Sequence, residues 1–305
     1  MKVRIGTRGS KLAMWQANTA EKMVQKAFPN AETEIVIVKT EGDKDQKSSL
    51  KSMGGYGVFV KTIENELLAN NVDIAVHSAK DMPASMDEKL IIAATPPREE
   101  VNDVLMSNSK STLKQLPQNA NIGTSSARRQ AQILNNRPDL KINEIRGNVE
   151  TRLRKVAEKK YDATLLAYAG VKRLGLEDKI CEKIDLETIL PAPGQGVVVL
   201  QCRKNDSKLF DGLKKVSDEI AYVCLMAERA FLRKLKAGCH AAVAGYARIE
   251  NEKFVMSGRV LSPDGSKVLE AQFDNGSIED PEELGYRIGE ALLKQGADRL
   301  LKITD

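Results

Sequence analysis

Cysteine, histidine and aromatic residues are all scarce in this chain, and each scarcity excludes something. The four cysteines, Cys181, Cys202, Cys224 and Cys239, are widely spaced and form no CxxC pair, and there are only two histidines. That composition argues against a zinc centre, so no metal is expected. In a reducing compartment the cysteines are expected as free thiols. Aromatics make up 4% of the residues and are not interleaved with the basic ones. The stacking platforms of a single-strand binder are therefore missing. No zinc-finger spacing and no clear helix-turn-helix pattern is present either, so nucleic acid is not an expected partner. No apolar run approaches the length of a membrane span. The opening MKVRIGTRGS has no signal-peptide core. A cytoplasmic protein with no membrane partner is the expectation, and a monomer is expected.

What is present begins with length. At 305 residues the chain exceeds one ordinary core, so two or three domains are expected. Its net charge of +5 is unevenly placed: residues 121–173 hold twelve Lys/Arg against five Asp/Glu, a net +7, which leaves −2 for the rest. One middle segment carries the cationic excess, and its partner is expected to be an anion.

The hydrophobic pattern predicts a strand over 2–6, a helix from Ser10 to about 28, and a strand over 33–40. A charged, glycine-bearing loop over 41–57 is long for a plain connection and suits a lid. An amphipathic helix over 58–70 follows, then strands over 72–76 and 90–95. Strand 103–107 crosses into a second unit of β-α-β-α rhythm, typical of a doubly wound sheet: a strand near Ile122, a helix over 126–135, a strand over 141–146, a helix over 149–159, a strand over 162–167 and a short helix to Leu174. PAPGQG, at 191–196, is a turn, and strand 197–203 returns to the first unit. A long helix over 217–235 leads to three antiparallel strands and a last helix over about 281–296. The expected fold is α/β, with two lobes and a cleft between them, plus a small α+β C-terminal domain holding a three-stranded antiparallel sheet. The expected domains are 1–96 with 197–214, then 97–196, then 215–305.

Several places carry candidate chemistry. In VDIAVHSAKDMP, 72–83, an apolar strand runs into His77, Ser78, Lys80 and Asp81. Ligands of open α/β sheets sit at carboxyl ends of strands. Lys80 and Asp81 are either a solvated pair there or groups placed for chemistry. GTSSARR, 123–129, follows a strand and opens a helix, where free N–H groups favour anions. Thr124, Ser125 and Ser126 add hydroxyls, and Arg128 and Arg129 add forked donors. The alternative is a capped helix with exposed arginines. Arg146-Gly147-Asn148 and Arg152 repeat the strand–glycine–helix–arginine pattern. Arg8 sits at the first strand–helix junction, and Arg173 ends the short helix. Several such arginines suggest a ligand with several negative groups. Finally, Cys239 lies in a loop of small residues beside His240, which is either an activating base or an ordinary polar residue. Cys202 and Cys224 sit in apolar runs and read as core residues.

TRGSKLAMWQ, GGYGVFVKTIE, VHSAKDMP, GTSSARRQAQ, IRGNVETRL, PAPGQG and AGCHAAVAGYA occur in this order. Together they resemble the porphobilinogen deaminase (hydroxymethylbilane synthase) family of tetrapyrrole biosynthesis, over nearly the whole chain. The resemblance implies two lobes similar to type II periplasmic binding proteins. It implies a transferase that deaminates porphobilinogen and joins four units head to tail, passing through oligopyrrole intermediates and releasing hydroxymethylbilane for haem biosynthesis. It implies a dipyrromethane cofactor held on Cys239 by a thioether, and Asp81 as the catalytic carboxylate. Arg8, Lys80, Arg128, Arg129, Arg146 and Arg152 would hold acetate and propionate groups, with Arg173 expected beside them. Ser10, Ser78, Thr124, Ser125, Ser126 and Gln195 would add hydrogen bonds, and Phe59 would pack a pyrrole ring. Departures from the family pattern are Tyr56, where lysine is common, Ala79 for a larger apolar residue, and His240-Ala241-Ala242 after the cysteine. An anion receptor without catalysis is the competing class. It would use the same arginines and have no use for Cys239.

Overall fold

The computed structural model describes residues 1–39, 57–238, 241–275 and 280–302. The loop expected as a lid, Tyr56, Cys239, His240 and the Phe59 side chain lie outside the described residues. By backbone proximity the chain divides into two compact units, Met1–Glu99 with Val197–Leu225, and Glu100–Gly196 with Met226–Asp305.

The first unit is built on strands β1 (Lys2–Thr7), β2 (Glu32–Ile37), β3 (Ile74–Ser78), β4 (Leu90–Ala94) and β10 (Val198–Arg203). Their order is β2-β1-β3-β10-β4. β1 runs parallel to β2 and β3, whereas β10 lies antiparallel between β3 and β4. Alternation along β3 decides the packing. Ile74 and Val76 join a core with helices α1 (Lys11–Ala27) and α6 (Ser207–Lys214). Ala75 faces the other way, toward Ile63 and Leu67 of helix α2 (Gly57–Leu68). A strand covered on both faces needs apolar residues at every position, which is why VDIAV reads as a continuous run.

The second unit repeats the plan with β5 (Asp103–Ser107), β6 (Asn121–Gly123), β7 (Lys141–Asn143), β8 (Ala163–Ala167) and β9 (Glu182–Lys183), in the order β7-β6-β8-β5-β9. β6 is parallel to β7 and β8, and β5 is antiparallel to β8. Helices α3 (Ala127–Asn136), α4 (Val149–Ala157) and α5 (Tyr168–Arg173) follow β6, β7 and β8. The expected crossings are present: β5 and β10 are the strands that enter the second sheet and return to the first.

Helix α7 (Glu219–Leu235) leads to the antiparallel sheet β11 (Val243–Glu250), β12 (Lys253–Leu261) and β13 (Val268–Asn275), and then to α8 (Pro281–Lys294) and α9 (Ala297–Leu301). α7 begins in the first unit and continues into the second. The expected fold class of two α/β lobes plus a small antiparallel C-terminal sheet is what the chain adopts.

Three details differ from the sequence reading. Both α/β sheets are mixed, because each accepts an antiparallel crossing strand. The strand expected over 141–146 stops at Asn143, since Ile145 turns inward to pack against Gly123 and Gly147 adopts φ +112°. Helix α6 was not anticipated. Asp206 caps it by accepting from Leu209 N, and Leu209 and Leu213 fill the core one turn apart.

Candidate active site

In the first unit β1 and β3 are neighbours pointing the same way, so Arg8 and the Ser78–Asp81 segment leave the sheet at one edge. Ala79–Asp81 form a single 3-10 turn. It is pinned by Ala79 N donating to Val197 O (3.0 Å) and Met82 N to Ala79 O (3.1 Å). Met82 and Ala79 are buried while Asp81 is half-exposed and Lys80 exposed. Among the described residues the Asp81 carboxylate makes no hydrogen bond or ion pair. Ser78 Oγ accepts from Gln16 Nε2 (2.8 Å), and Ser10 Oγ caps α1 by accepting from Ala13 N (3.3 Å). Both hydroxyls therefore also build the junction itself.

Asp73, just before β3, is at the opposite edge. It binds Arg4 (2.9 Å) and Arg203 (3.0 Å). Although partial burial opposes ionisation, the hydrogen bonds from Arg4 and Arg203 hold its carboxyl below the usual range.

Behind the Asp81 turn lies a buried polar chain. His77 Nε2 meets Gln201 Oε1 (3.2 Å), and Gln201 Nε2 donates to Glu64 of α2 (2.8 Å). Because Gln201 directs its amide N–H toward the carboxylate, its oxygen faces His77, which donates as neutral imidazole. Burial pushes the His77 pKa down to about 4.

In the second unit three parallel strands end at one edge, each followed by a junction expected to carry ligand groups. At the first junction, Ser126 Oγ caps α3 by accepting from Arg129 N (3.4 Å), and Thr124 Oγ1 accepts from Ser126 N (3.2 Å). Ser125 Oγ donates to Ile145 O of the adjoining junction (2.6 Å). At the second, Arg146 pairs with Glu144 (2.9 Å), Arg152 Nε donates to Gly147 O (2.8 Å), and Asn148 caps α4. At the third, Arg173 donates to Gly196 O (2.7 Å).

Arg128 and Arg129 are not the exposed arginines of a capped helix; they are 5% and 6% exposed. The residue that takes them in was missed in the sequence: Asp103, fully buried at the head of β5. Its oxygens lie 2.8 Å from Arg128 Nη2 and 2.7 Å from Arg129 Nη2. Arg128 Nη1 also donates to Leu190 O (2.7 Å) and Arg129 Nη1 to Leu165 O (2.9 Å). Burial alone would raise the Asp103 pKa, but the two guanidinium charges overcome it and hold the carboxyl well below its usual range. Both Nε atoms are buried and have no hydrogen-bond partner among the described residues. Gln195, also fully buried, donates to Val101 O (2.6 Å) and Asp103 Oδ1 (3.0 Å). A charged residue at the head of an otherwise apolar strand was the available signal for Asp103.

On either side of the expected attachment cysteine, Ala241 N donates to Gly238 O (3.1 Å). Ala242, three residues past Cys239, packs with Ala127 and Ala131 of α3. Among the described residues no cluster of His, Cys, Asp and Glu is suited to hold a metal, and no helix is long and apolar enough to cross a membrane.

These features define a two-lobed α/β protein with arginine-bearing strand–helix junctions and a separate carboxylate-bearing turn. Residues 3–211 match the family described as porphobilinogen deaminase, dipyromethane cofactor binding domain, and residues 222–294 match porphobilinogen deaminase, C-terminal domain. The chain is 41% identical over 303 residues to the porphobilinogen deaminase of Syntrophotalea carbinolica, covering 99% of this chain and 96% of that one. It is 43% identical over 302 residues to that of a Geobacillus species, covering 98% and 96%. The BvgS VFT2 domain of Bordetella pertussis is a looser structural neighbour, with TM-score 0.44 and 14% identity over 71% of this chain and 85% of that one. The chain belongs to the porphobilinogen deaminase family. Its activity is that of a transferase of tetrapyrrole biosynthesis, deaminating porphobilinogen and polymerising it to hydroxymethylbilane with the family's dipyrromethane cofactor.

Proposed function

We propose that Cys239 carries the dipyrromethane through a thioether, that Asp81 serves the reacting pyrrole, and that the arginine junctions hold the carboxylates of the growing chain. The observation that carries this reading is a contrast among three aspartates. Asp73 and Asp103 are each locked between two arginines. Asp81, at the carboxyl edge of β3, has no such partner among the described residues.

Loss of ammonia from porphobilinogen leaves a cationic azafulvene. An arginine-rich surface is hostile to that cation, and a carboxylate offsets this. At about 4 Å, one opposite charge contributes roughly 4 kcal/mol at an effective dielectric of about 20. That corresponds to about three decades in rate. Asp81 accepts the pyrrole N–H, stabilises the positive charge, and takes up the proton lost on coupling.

The dipyrromethane supplies the primer onto which the substrate pyrroles are joined. The protein fits such a group in two respects. Arg128 and Arg129 each retain a buried Nε with no partner among the described residues, the donor a carboxylate would satisfy. Ala242 places the distal flank of the Cys239 loop on the helix that bears these arginines. Arg8 and Lys80 in the first unit, and Arg146, Arg152 and Arg173 in the second, supply further carboxylate-binding groups. Ser10, Ser78, Thr124, Ser125, Ser126 and Gln195 orient the junctions, and Phe59 packs a pyrrole ring.

The domain reading, 1–96 with 197–214, 97–196, and 215–305, is supported by the sheets, each of which falls whole within one range. The working form is a cytoplasmic monomer acting on porphobilinogen and oligopyrroles.

Intact mass under denaturing conditions tests the attachment. The purified chain should exceed its sequence mass by one dipyrromethane, and Cys239→Ser should not. An unmodified wild-type chain that nevertheless turns over porphobilinogen would sink the thioether.

A further inference from the structure

We propose that Asp103, Gln195 and Glu228 form a buried positioning relay, which sets the Arg128–Arg129 pair relative to the helix that ends four residues before Cys239. The inference rests on the proposed function above, in which these arginines hold ligand carboxylates.

The relay starts in α7. Glu228 is fully buried. One of its carboxylate oxygens accepts from Gly194 N (2.5 Å), in the 191–196 turn, and the other from Ala247 N of β11 (2.8 Å). Seven residues further along, at Leu235, α7 ends, four residues before Cys239. A single carboxylate thus ties that helix to the turn and to the C-terminal sheet.

Gly194 has φ +77° and directly precedes Gln195, so fixing its N–H fixes the direction in which Gln195 leaves the turn. The Gln195 amide donates to Asp103 Oδ1, the same oxygen that receives Arg129 Nη2. The other Asp103 oxygen meets Arg128. Two like-charged guanidinium groups packed side by side repel each other. The shared carboxylate holds them together, and the angle it adopts decides where each unpartnered Nε points.

A second contact from the C-terminal sheet reaches the same helix. Gln132 of α3 accepts from Arg259 Nη1 of β12 (2.7 Å) and from Leu190 N (2.9 Å), and donates to Leu190 O (3.1 Å). Leu190 O is also the acceptor for Arg128 Nη1. The arginine pair is therefore oriented by backbone and side-chain groups on both flanks, all inside one compact unit.

Asp103, Gln195 and Glu228 act through the arginines, so their loss should appear in substrate affinity and be shared with the arginines. The test uses the cofactor-loaded enzyme, with the loaded fraction read by intact mass and folding checked by thermal unfolding. Arg129→Lys should raise KM for porphobilinogen tenfold or more. Asp103→Asn should raise it by a similar factor, with kcat changed less. The double variant should lose no more than the worse single one. Multiplied losses, or a wild-type KM for Asp103→Asn, overturn the relay. Should Asp103→Asn fail to fold, Gln195→Met, which removes the donor and strands no charge, should raise KM three- to tenfold and be equally non-multiplicative with Arg129→Lys. Glu228→Gln replaces one accepting oxygen with a donor facing a backbone N–H and should reproduce the KM defect. A wild-type KM there breaks the relay at its first link. An Arg129→Lys enzyme with wild-type KM instead overturns the carboxylate-holding role itself, so the two failures are distinguishable.

Discussion

Ala242 packs against Ala131, which joins the loop that follows Cys239 to the helix that carries Arg128 and Arg129. The contact is made close by a turn on the same side. Gly265 has φ +72°, and a Cβ there would lie 2.4 Å from Ala131 O and 2.5 Å from Asn135 N. Asn135 Nδ2 in turn donates to Gly265 O (2.9 Å). Gly265→Ala must therefore either strain its own backbone or push the β12–β13 turn off α3. We expect a loss of about 2–3 kcal/mol in urea unfolding, together with reduced turnover per loaded enzyme. Unchanged stability would mean that the turn is not seated on this helix.

Asp81 should behave in the opposite way. Its carboxylate supports nothing internally among the described residues, so Asp81→Ala should unfold within about 0.5 kcal/mol of the wild type. Turnover should fall by about three decades. Asp81→Glu keeps the charge at a shifted distance and should retain more activity than the alanine variant. Equal activity in the two, measured as porphobilinogen consumption, would remove the charge-stabilising role.

The sequence and the structure agree where residues speak through their neighbours in the chain. The continuous apolar run of β3 announced a strand covered on both faces, and GTSSARR announced a strand, a cap and a helix. What the sequence concealed depends on residues far apart. Arg128 and Arg129 look like solvent-facing donors until Asp103, well upstream in the sequence, is brought beside them. Gln195, read as a ligand contact, meets Asp103 from the far end of the same unit. Helix α6 was hidden because Gly212 interrupts its pattern. That glycine is there because a Cβ would lie 2.0 Å from the Phe28 ring. Long-range pairs of this kind leave at most a charged residue in an apolar strand as their trace.

The cysteines should divide by burial. Cys202 is fully buried, and desolvation pushes its thiol up to about 12, so almost none is thiolate at pH 8. Cys224 is 2% exposed. Cys181 is half-buried and its Sγ donates to Ser107 O (3.3 Å). Native alkylation followed by peptide mass mapping should label Cys181 alone among these three, and all three after unfolding. Cys239 should resist labelling in both states if it carries a thioether. Labelling of Cys239 in the loaded enzyme would count against that bond.

His77 makes the pH dependence of stability specific. Its folded pKa of about 4 lies below the ordinary 6.5 because the buried site disfavours imidazolium, while the Gln201 hydrogen bond opposes that shift. Between these two values the unfolded chain binds the proton and the folded chain does not, so stability falls as the pH falls. The contribution is fully present above about pH 6.5 and is lost progressively toward pH 4, reaching about 3 kcal/mol. Asp103 keeps its charge throughout this window, because its pKa is held well below the usual carboxylate range. His77→Gln keeps a donor toward Gln201 and removes the titration. Urea unfolding at pH 7 and pH 5 should therefore show a steeper loss for the wild type than for the variant. Parallel curves would mean that His77 takes up its proton without disturbing the Glu64–Gln201 chain that ties α2 to the sheet beneath Asp81.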